Sequence, residues 1–333
     1  MAYYNYDRIC SYNACFNFIL TNRGYGKSYG AKKRAIKRFK KYGEQFVYVR
    51  RYKSELKKEK LGKFFDDIKH EFPNDEFKVI GYTFYMNKKV IGYAIPLSTS
   101  LIEKSNPYPL VTSIIFDEFI IDKGNLRYLN NEVDIFLELF STIARKRNNV
   151  KAYFLANNIS DVNPYFIYFD IIPKKGERFT LAKQGKIVIE KSEDDVFMEE
   201  MAATDFGIIV SGTKYGDYAI NNQSLRDTDT FIQKIPLKQC TPLFNILYKG
   251  QYNQVWLDKE NYLYYCNSKY VESSETLSLT MLDHSEGGML SLSKLKYSGF
   301  DDLVKYFQVG KVRFENQQIK SQMYEIFSKL GVR

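Results

Sequence analysis

No apolar run in this 333-residue chain approaches the ~20 residues that a membrane-spanning helix needs. The opening segment, MAYYNYDRICSYN, lacks the charged-then-apolar pattern of a secretion signal. Cysteine is scarce: Cys10, Cys15, Cys240 and Cys266 stand singly, with no CxxC pair, and the chain has 2 histidines. That usage speaks against a zinc site and against a disulfide framework, and a reduced, cytoplasmic protein is the expectation. No internal repeat and no low-complexity segment is found, so the chain reads as ordinary folded domains.

Aromatics, by contrast, are abundant. The 28 Tyr and 25 Phe bring the aromatic share to 16%, within a hydrophobic content of 44%. Composition of this kind buries cores and excludes wholesale disorder, and the length suits two domains. The net charge of +10 is unevenly placed: Arg23 to Lys69 holds 17 Lys/Arg against 5 Asp/Glu, a local excess of +12. A basic block points to a polyanionic partner. A solvated helix face would carry the same charge, so charge alone does not decide.

The order of elements implies a mostly parallel sheet covered on both faces. A short apolar run, Cys15 to Leu20, meets the turn Arg23-Gly-Tyr-Gly26. A helix is expected over Lys27 to Tyr42 with Gly43 as its stop. Phe46–Val49 reads as a second strand, Lys78–Ile95 as a hairpin turning near Asn87-Lys88, and Ser113–Phe116 as a third core strand. Val133, Phe136, Leu137 and Phe140 give residues 131–144 helical spacing, and Ala152–Leu155 follows as a fourth strand. Beyond about residue 195 the texture changes. Met198–Gln223 reads as a linker, and short strands at 245–249, 254–257 and 262–266 with a terminal helix at 316–330 suggest a second α/β domain.

The strongest local signal is Thr21-Asn-Arg-Gly-Tyr-Gly26-Lys27-Ser28. A strand enters a glycine-bearing loop, and Gly-Lys-Ser opens a helix. Glycines let backbone N–H groups face phosphates, and the helix N-terminus adds positive potential. In such a loop Lys27 reaches the β- and γ-phosphates of ATP and the Ser28 hydroxyl coordinates Mg²⁺. Thr21 stands where the usual pattern has its first glycine, so the loop is expected to turn there with a side chain present. Downstream, Ile114-Ile-Phe-Asp117-Glu118 is an apolar strand delivering two acids, the layout of a Walker B site. Asp117 would hold the Mg²⁺ shell and Glu118 would polarise the attacking water. Asn157, at the tip of the next strand, suits a γ-phosphate sensor or merely a turn. Arg145 and Arg147 close the preceding helix, as an arginine finger acting in trans or as cations favoured at a helix C-terminus.

Together these segments resemble the genome-packaging (encapsidation) ATPases of small tailed phages of the phi-29 type, relatives of terminase large subunits. The likeness runs through RGYGKSYG (23–30), YGEQFVYVRRYKSEL (42–56), YAIPLS (93–98), EKSNPYP (103–109), IIFDEFI (114–120), VNPYF (162–166) and KVRFENQQIK (311–320). The resemblance implies an α/β chain with three parts. These are an ASCE-type P-loop ATPase (residues 1–197), a linker subdomain (198–228) and an RNase H-like domain without nuclease activity (229–333). It also implies a homomeric ring, pentameric, at the portal (connector) of a prohead in the host cytoplasm, moving double-stranded DNA. In the phi-29 group a structural RNA helps tether that ring. By position, Arg23, Gly24, Gly26, Lys27, Ser28, Asp117 and Asn157 bind ATP and Mg²⁺, the metal through Ser28 and Asp117. Glu118 is the catalytic glutamate, Arg145 the preferred finger with Arg147 in reserve, and Lys104 a second cation across the subunit interface. Charge places Arg50, Arg51, Lys53, Lys57 and Lys58 on the DNA. In the C-terminal domain the strand at 245–249 offers no acid for a leading metal ligand, and Asp258, Glu260, Asp283, Asp301 and Asp302 form no convincing set, so no cleavage is expected. Another DNA translocase or helicase, or a P-loop kinase, is the rival reading.

Overall fold

The computed structural model describes residues 4–121, 127–158, 163–169, 171, 173–174, 177–192, 195–213, 231–248, 251–278 and 299–329. The chain divides into two compact units, Met1–Leu225 and Arg226–Arg333.

Runs of β-branched and aromatic residues between polar turns produce the strands of the first unit. These are β1 (Phe16–Thr21), β2 (Gln45–Arg50), β3 (Phe77–Ile80), β4 (Thr83–Met86), β5 (Lys89–Pro96), β6 (Val111–Asp117), β7 (Lys151–Asn157), β8 (Phe179–Ala182) and β9 (Ile187–Lys191). They form one sheet in the order β3-β4-β5-β2-β6-β7-β1-β9-β8. The run from β5 to β9 is parallel throughout, while β3-β4-β5 and β8-β9 add antiparallel edges. The hairpin turn falls at Asn87-Lys88, both left-handed, and a third strand, β3, extends the expected pair. β8 and β9 were absent from the sequence reading; β9 completes the parallel sheet beside β1.

Strands buried on both faces cannot alternate in polarity, and β1 is buried at every residue. Alternate side chains supply two cores. Phe18, Leu20, Val49, Phe116 and Phe154 pack on one face with Phe136 and Tyr165. Ile19, Phe46, Ile115 and Leu155 pack on the other with Ile36, Phe64 and Phe84. The high aromatic content is used here: Phe18 stacks on Phe154 at 4.2 Å and Phe116 on Phe136 at 5.7 Å between ring centroids.

The helix Lys27–Tyr42 begins at Gly26 and ends at Gly43, both left-handed, and the Gly43 N–H donates to the Phe39 carbonyl. The helix Glu132–Ala144 covers the opposite face. The described part of the expected linker comprises the helices Asp195–Ala202 and Asp205–Val210, grouped with the first unit; residues 214–228 lie outside the described residues.

The second unit has a mixed five-stranded sheet. β10 (Cys240–Tyr248), β11 (Gln251–Asp258) and β12 (Leu263–Asn267) form an antiparallel meander. β13 (Glu275–Ser278) joins β10 and β14 (Val312–Phe314) joins β12, both in parallel. The helices Phe300–Gln308 and Gln317–Lys329 bury Phe300, Leu303, Met323 and Phe327 against this sheet. The Asp258 carboxylate is fully buried and accepts hydrogen bonds from the Glu260 and Asn261 N–H groups and the Asn261 side chain. It caps a turn. Asp283 lies outside the described residues.

Candidate active site

In a parallel sheet, ligands gather outside the carboxyl ends of the strands. β6, β7 and β1 are neighbours there, with β7 between β1, which leads into the glycine-bearing loop, and β6, which ends in Asp117. Thr21 lies opposite Asn157, and Asp117 opposite Leu155. Three segments distant in sequence thus present their last residues at one edge.

Thr21 is still part of β1 and fully buried. The chain turns one residue later than expected, through Asn22 to Gly26, so a side chain at Thr21 meets no steric conflict. Gly24 and Gly26 have φ of +82° and +79°, a conformation that costs an L-residue roughly 1–2 kcal/mol. Arg23 and Gly24 are exposed at the tip. Lys27 is buried, and its Nζ donates to the carbonyls of Asn22 (2.8 Å) and Thr21 (3.3 Å) and to Asn157 Oδ1 (3.2 Å). Burial pushes the Lys27 pKa down to about 8, against the opposing field of Asp117.

The Ser28 hydroxyl and the Tyr48 phenol both meet Asp117 Oδ2, at 2.9 and 3.0 Å. Burial, then the Asp117 charge, raises the Tyr48 pKa well above the ordinary value, so Tyr48 is a permanent donor. Glu118 follows with φ of +56° and a side chain 61% exposed. Arg50, at the end of β2, clamps it: Nη2 lies 2.6 Å from Glu118 Oε2, and the same guanidinium binds Glu55.

A buried arginine holds this left-handed turn. Arg51 is 2% exposed. It grips Glu132 with two hydrogen bonds of 2.7 and 2.9 Å, and donates to the carbonyls of Glu118 (3.1 Å) and Phe119 (2.6 Å). Glu132 also accepts from Leu129 N–H and the Tyr165 hydroxyl. This network ties the Glu118 turn to the start of the helix Glu132–Ala144.

Two expectations are corrected by these contacts. Arg51 cannot serve a DNA phosphate, because its guanidinium is buried and its donors are committed to Glu132 and the turn. Arg50 belongs to the Glu118 site, where Glu55 and Glu118 neutralise it. Lys53, Lys57 and Lys58 are exposed and stay available to a polyanion. Much of the remaining basic block is internally paired: Lys32 with Asp67, Lys33 with Glu71, Arg38 with Glu44 and Lys40 with Asp75.

The two arginines after the helix Glu132–Ala144 differ. Arg147 donates to the carbonyls of Tyr108, Pro109, Val111 and Ile143. That use is structural and removes it as a reserve finger. Arg145 is exposed at the helix end with φ of +50°. The 13-residue helix runs away from Glu118 for about 20 Å, so Arg145 sits at the sheet edge opposite Lys27. Lys104 falls in the 3₁₀ segment Leu97–Ser105, and its side chain lies outside the described residues.

Sequence reading missed Tyr48, Glu132 and the Arg50–Glu118 clamp. Arg50-Arg51 at the end of a buried strand was a usable signal, since the residues where such a strand leaves the sheet lie beside its neighbour's. The buried Asn22 amide has no hydrogen-bond partner among the described residues, which suits a loop whose polar groups serve a bound anion. With the Ser28–Asp117 contact and the two left-handed glycines, the residues present fit a nucleotide triphosphate with a divalent cation.

The chain is also related to known proteins along its length. It matches the podovirus DNA encapsidation protein (Gp16) family over residues 1–332. The DNA packaging protein of Bacillus phage B103 is 44% identical over 324 residues, 97% of this chain and 99% of that one. That of Bacillus phage phi29 is 40% identical over 332 residues, 99% and 98% of the two chains. Among solved structures, the bacteriophage phi-29 genome packaging motor assembly contains a chain matching at TM-score 0.80 and 39% identity, covering 99% of this chain and 100% of that one. The N-terminal domain of the phi29 DNA packaging ATPase matches at TM-score 0.54 and 45% identity, covering 58% and 97%. A full-length family match and this degree of identity, on a sheet that gathers Lys27, Ser28, Asp117 and Asn157 at one edge, show that the chain belongs to the podovirus DNA encapsidation protein (Gp16) family.

Proposed function

We propose that this chain is an ATP-hydrolysing motor that moves double-stranded DNA into a phage prohead. The observation that carries the reading is the convergence of Lys27, Ser28, Asp117 and Asn157 beside Glu118, in a chain related throughout to phage packaging proteins. ATP is the substrate, held by the loop from Arg23 to Ser28. Ser28 and Asp117 would hold Mg²⁺, which would supply neutralisation of the charge developing on the phosphates. Tyr48 keeps the Asp117 carboxylate oriented. Released from Arg50, Glu118 accepts the proton of the attacking water, and Asn157 senses the γ-phosphate. Hydrolysis to ADP and phosphate, rather than transfer to an acceptor, suits an exposed glutamate beside the Walker B acid.

In a ring, Arg145 serves a neighbour's site and Lys104 is a second cation at that interface. The ring is pentameric at the portal, and a structural RNA is a candidate tether. Exposed Lys53, Lys57 and Lys58 contact DNA phosphates, independent of sequence and weakened by salt. The C-terminal domain does not cut DNA.

Steady-state ATPase of the purified chain, with and without duplex DNA and empty proheads, tests this. Turnover should rise with both partners and fall on the order of 10²–10⁴-fold in Glu118→Gln. Indifference to both partners would remove the packaging role while leaving a P-loop ATPase. Duplex unwinding would favour a helicase, and acceptor-dependent ADP release a kinase.

A further inference from the structure

Beyond the nucleotide site, the first unit carries a basic groove on the outer face of the helix Lys27–Tyr42. One wall is the segment Tyr4–Asp7 with Cys10 and Ser11; the other is the helix itself, and together they enclose a cavity of about 820 Å³. A second cavity, of about 500 Å³, shares Cys10, Arg34 and Arg38 with the first. It continues to the amino ends of β1, β6 and β7, through Asn17, Ser113 and Lys151. The groove therefore leads to the sheet edge opposite Lys27 and Asp117.

Its chemistry is one-sided. Positions 30, 33, 34, 37, 38 and 41 share one helix face by their spacing. Lys33, Arg34, Lys37, Arg38, Lys41 and Lys151 line the two cavities, against the single acid Asp7. Lys33 and Arg38 are held by Glu71 and Glu44. Among the described residues no carboxylate forms an ion pair with Arg34, Lys37 or Lys41. Arg34 lies 5.2 Å over the Tyr153 ring and Lys41 5.0 Å over the Tyr42 ring, contacts that leave their N–H donors free. Arg34, Lys37 and Lys41 are spaced over about 10 Å of helix, a span that meets two or three successive phosphates of one strand. The remaining polar lining is amide and hydroxyl, including Ser11, Asn148 and Asn149, the groups that bind phosphate and sugar oxygens without reading bases. Tyr42, 58% exposed at the groove's end, offers a ring face.

We propose that this groove is a second nucleic-acid surface, separate from Lys53, Lys57 and Lys58. It grips a phosphate backbone through Arg34, Lys37 and Lys41 without sequence preference. Both duplex DNA and a folded RNA carry that backbone. The site needs no nucleotide hydrolysis and touches none of Lys27, Asp117 or Glu118.

The test measures fluorescence anisotropy of a labelled DNA duplex and a labelled RNA stem-loop with the full-length chain over a salt series. The variant is Arg34→Gln/Lys37→Gln/Lys41→Gln, with wild-type basal ATPase as its folding control. At low salt the variant should bind at least one probe ten or more times more weakly. Its log–log salt slope for that probe should be shallower by roughly two to three, one step per lost phosphate contact. Loss for DNA alone assigns the groove to DNA, and loss for RNA alone to RNA. In wild type, the same nucleic acid should protect Lys37 and Lys41 from acetylation, a readout that does not depend on the variant. Unchanged affinity for both probes, or wild-type lysines acetylated equally with and without them, would overturn the proposal.

Discussion

At the residue scale, Lys27 shows how one buried cation links stability to ligand binding. Its pKa is lowered to about 8 by burial. Between about pH 8 and the ordinary lysine value the unfolded chain keeps this proton while the folded chain has released it. Stability therefore rises with pH through that window, and below pH 8 the folded protein carries a burial cost on the order of 3 kcal/mol. Lys27→Met should raise the unfolding free energy at pH 7 and much less at pH 10.5, measured by urea denaturation. Equal gains at both pH values would contradict a buried charge. Binding phosphate restores the proton, so wild-type ATP affinity should fall above pH 8, by up to tenfold per pH unit. Isothermal titration from pH 7 to 9.5 reads that slope.

At the element scale, the question is what keeps Glu118 in a left-handed conformation that costs roughly 1–2 kcal/mol. Arg51 does so by holding the Glu118 and Phe119 carbonyls while anchored on Glu132. Removing one partner of a buried pair leaves the other charge uncompensated, a loss of about 3–5 kcal/mol. Arg51→Met should therefore destabilise the chain by that amount, and adding Glu132→Leu should recover most of it. A DNA-contacting Arg51 would behave in the opposite way, with affinity lost and stability kept. The pair was invisible in the sequence because RRYK reads as a basic run. Only the neighbouring positions of β2 and β6, and the return of the chain at Glu132, make Arg51 an interior residue.

At the scale of the whole molecule, the helix Glu132–Ala144 has two ends with different duties. Its start is fastened to the Glu118 turn and its end carries exposed Arg145, at the far sheet edge. A residue so placed is too far from its own Lys27 to serve it, and under the proposed function it acts on another copy. Mixing Arg145→Ala with Glu118→Gln chains should restore part of the wild-type ATPase, because a neighbour can supply each missing group. Mixed assemblies that stay inactive would argue against Arg145 as a finger. Arg147→Ala should instead lower stability, as its four carbonyl contacts are internal to the first unit.

Local pattern was enough for the elements that follow one strong rule. The apolar run entering Gly24 and Gly26, the helix stopped by Gly43, the turn at Asn87-Lys88 and the strand ending in Asp117-Glu118 are each dictated by neighbours within a few residues, through backbone φ or continuous burial. The family also follows from sequence, because long specific segments persist along the chain. Tertiary structure alone decided which cations are free. Charge is a property of composition, whereas its availability depends on which carboxylates and carbonyls the fold brings within reach. Arg51 was withdrawn into the interior in this way, Arg147 was committed to backbone carbonyls, and Arg50 was turned to Glu118. The strand β9, paired with β1, and the small strand β14, paired with β12, likewise depend on partners far along the chain, which no local pattern shows.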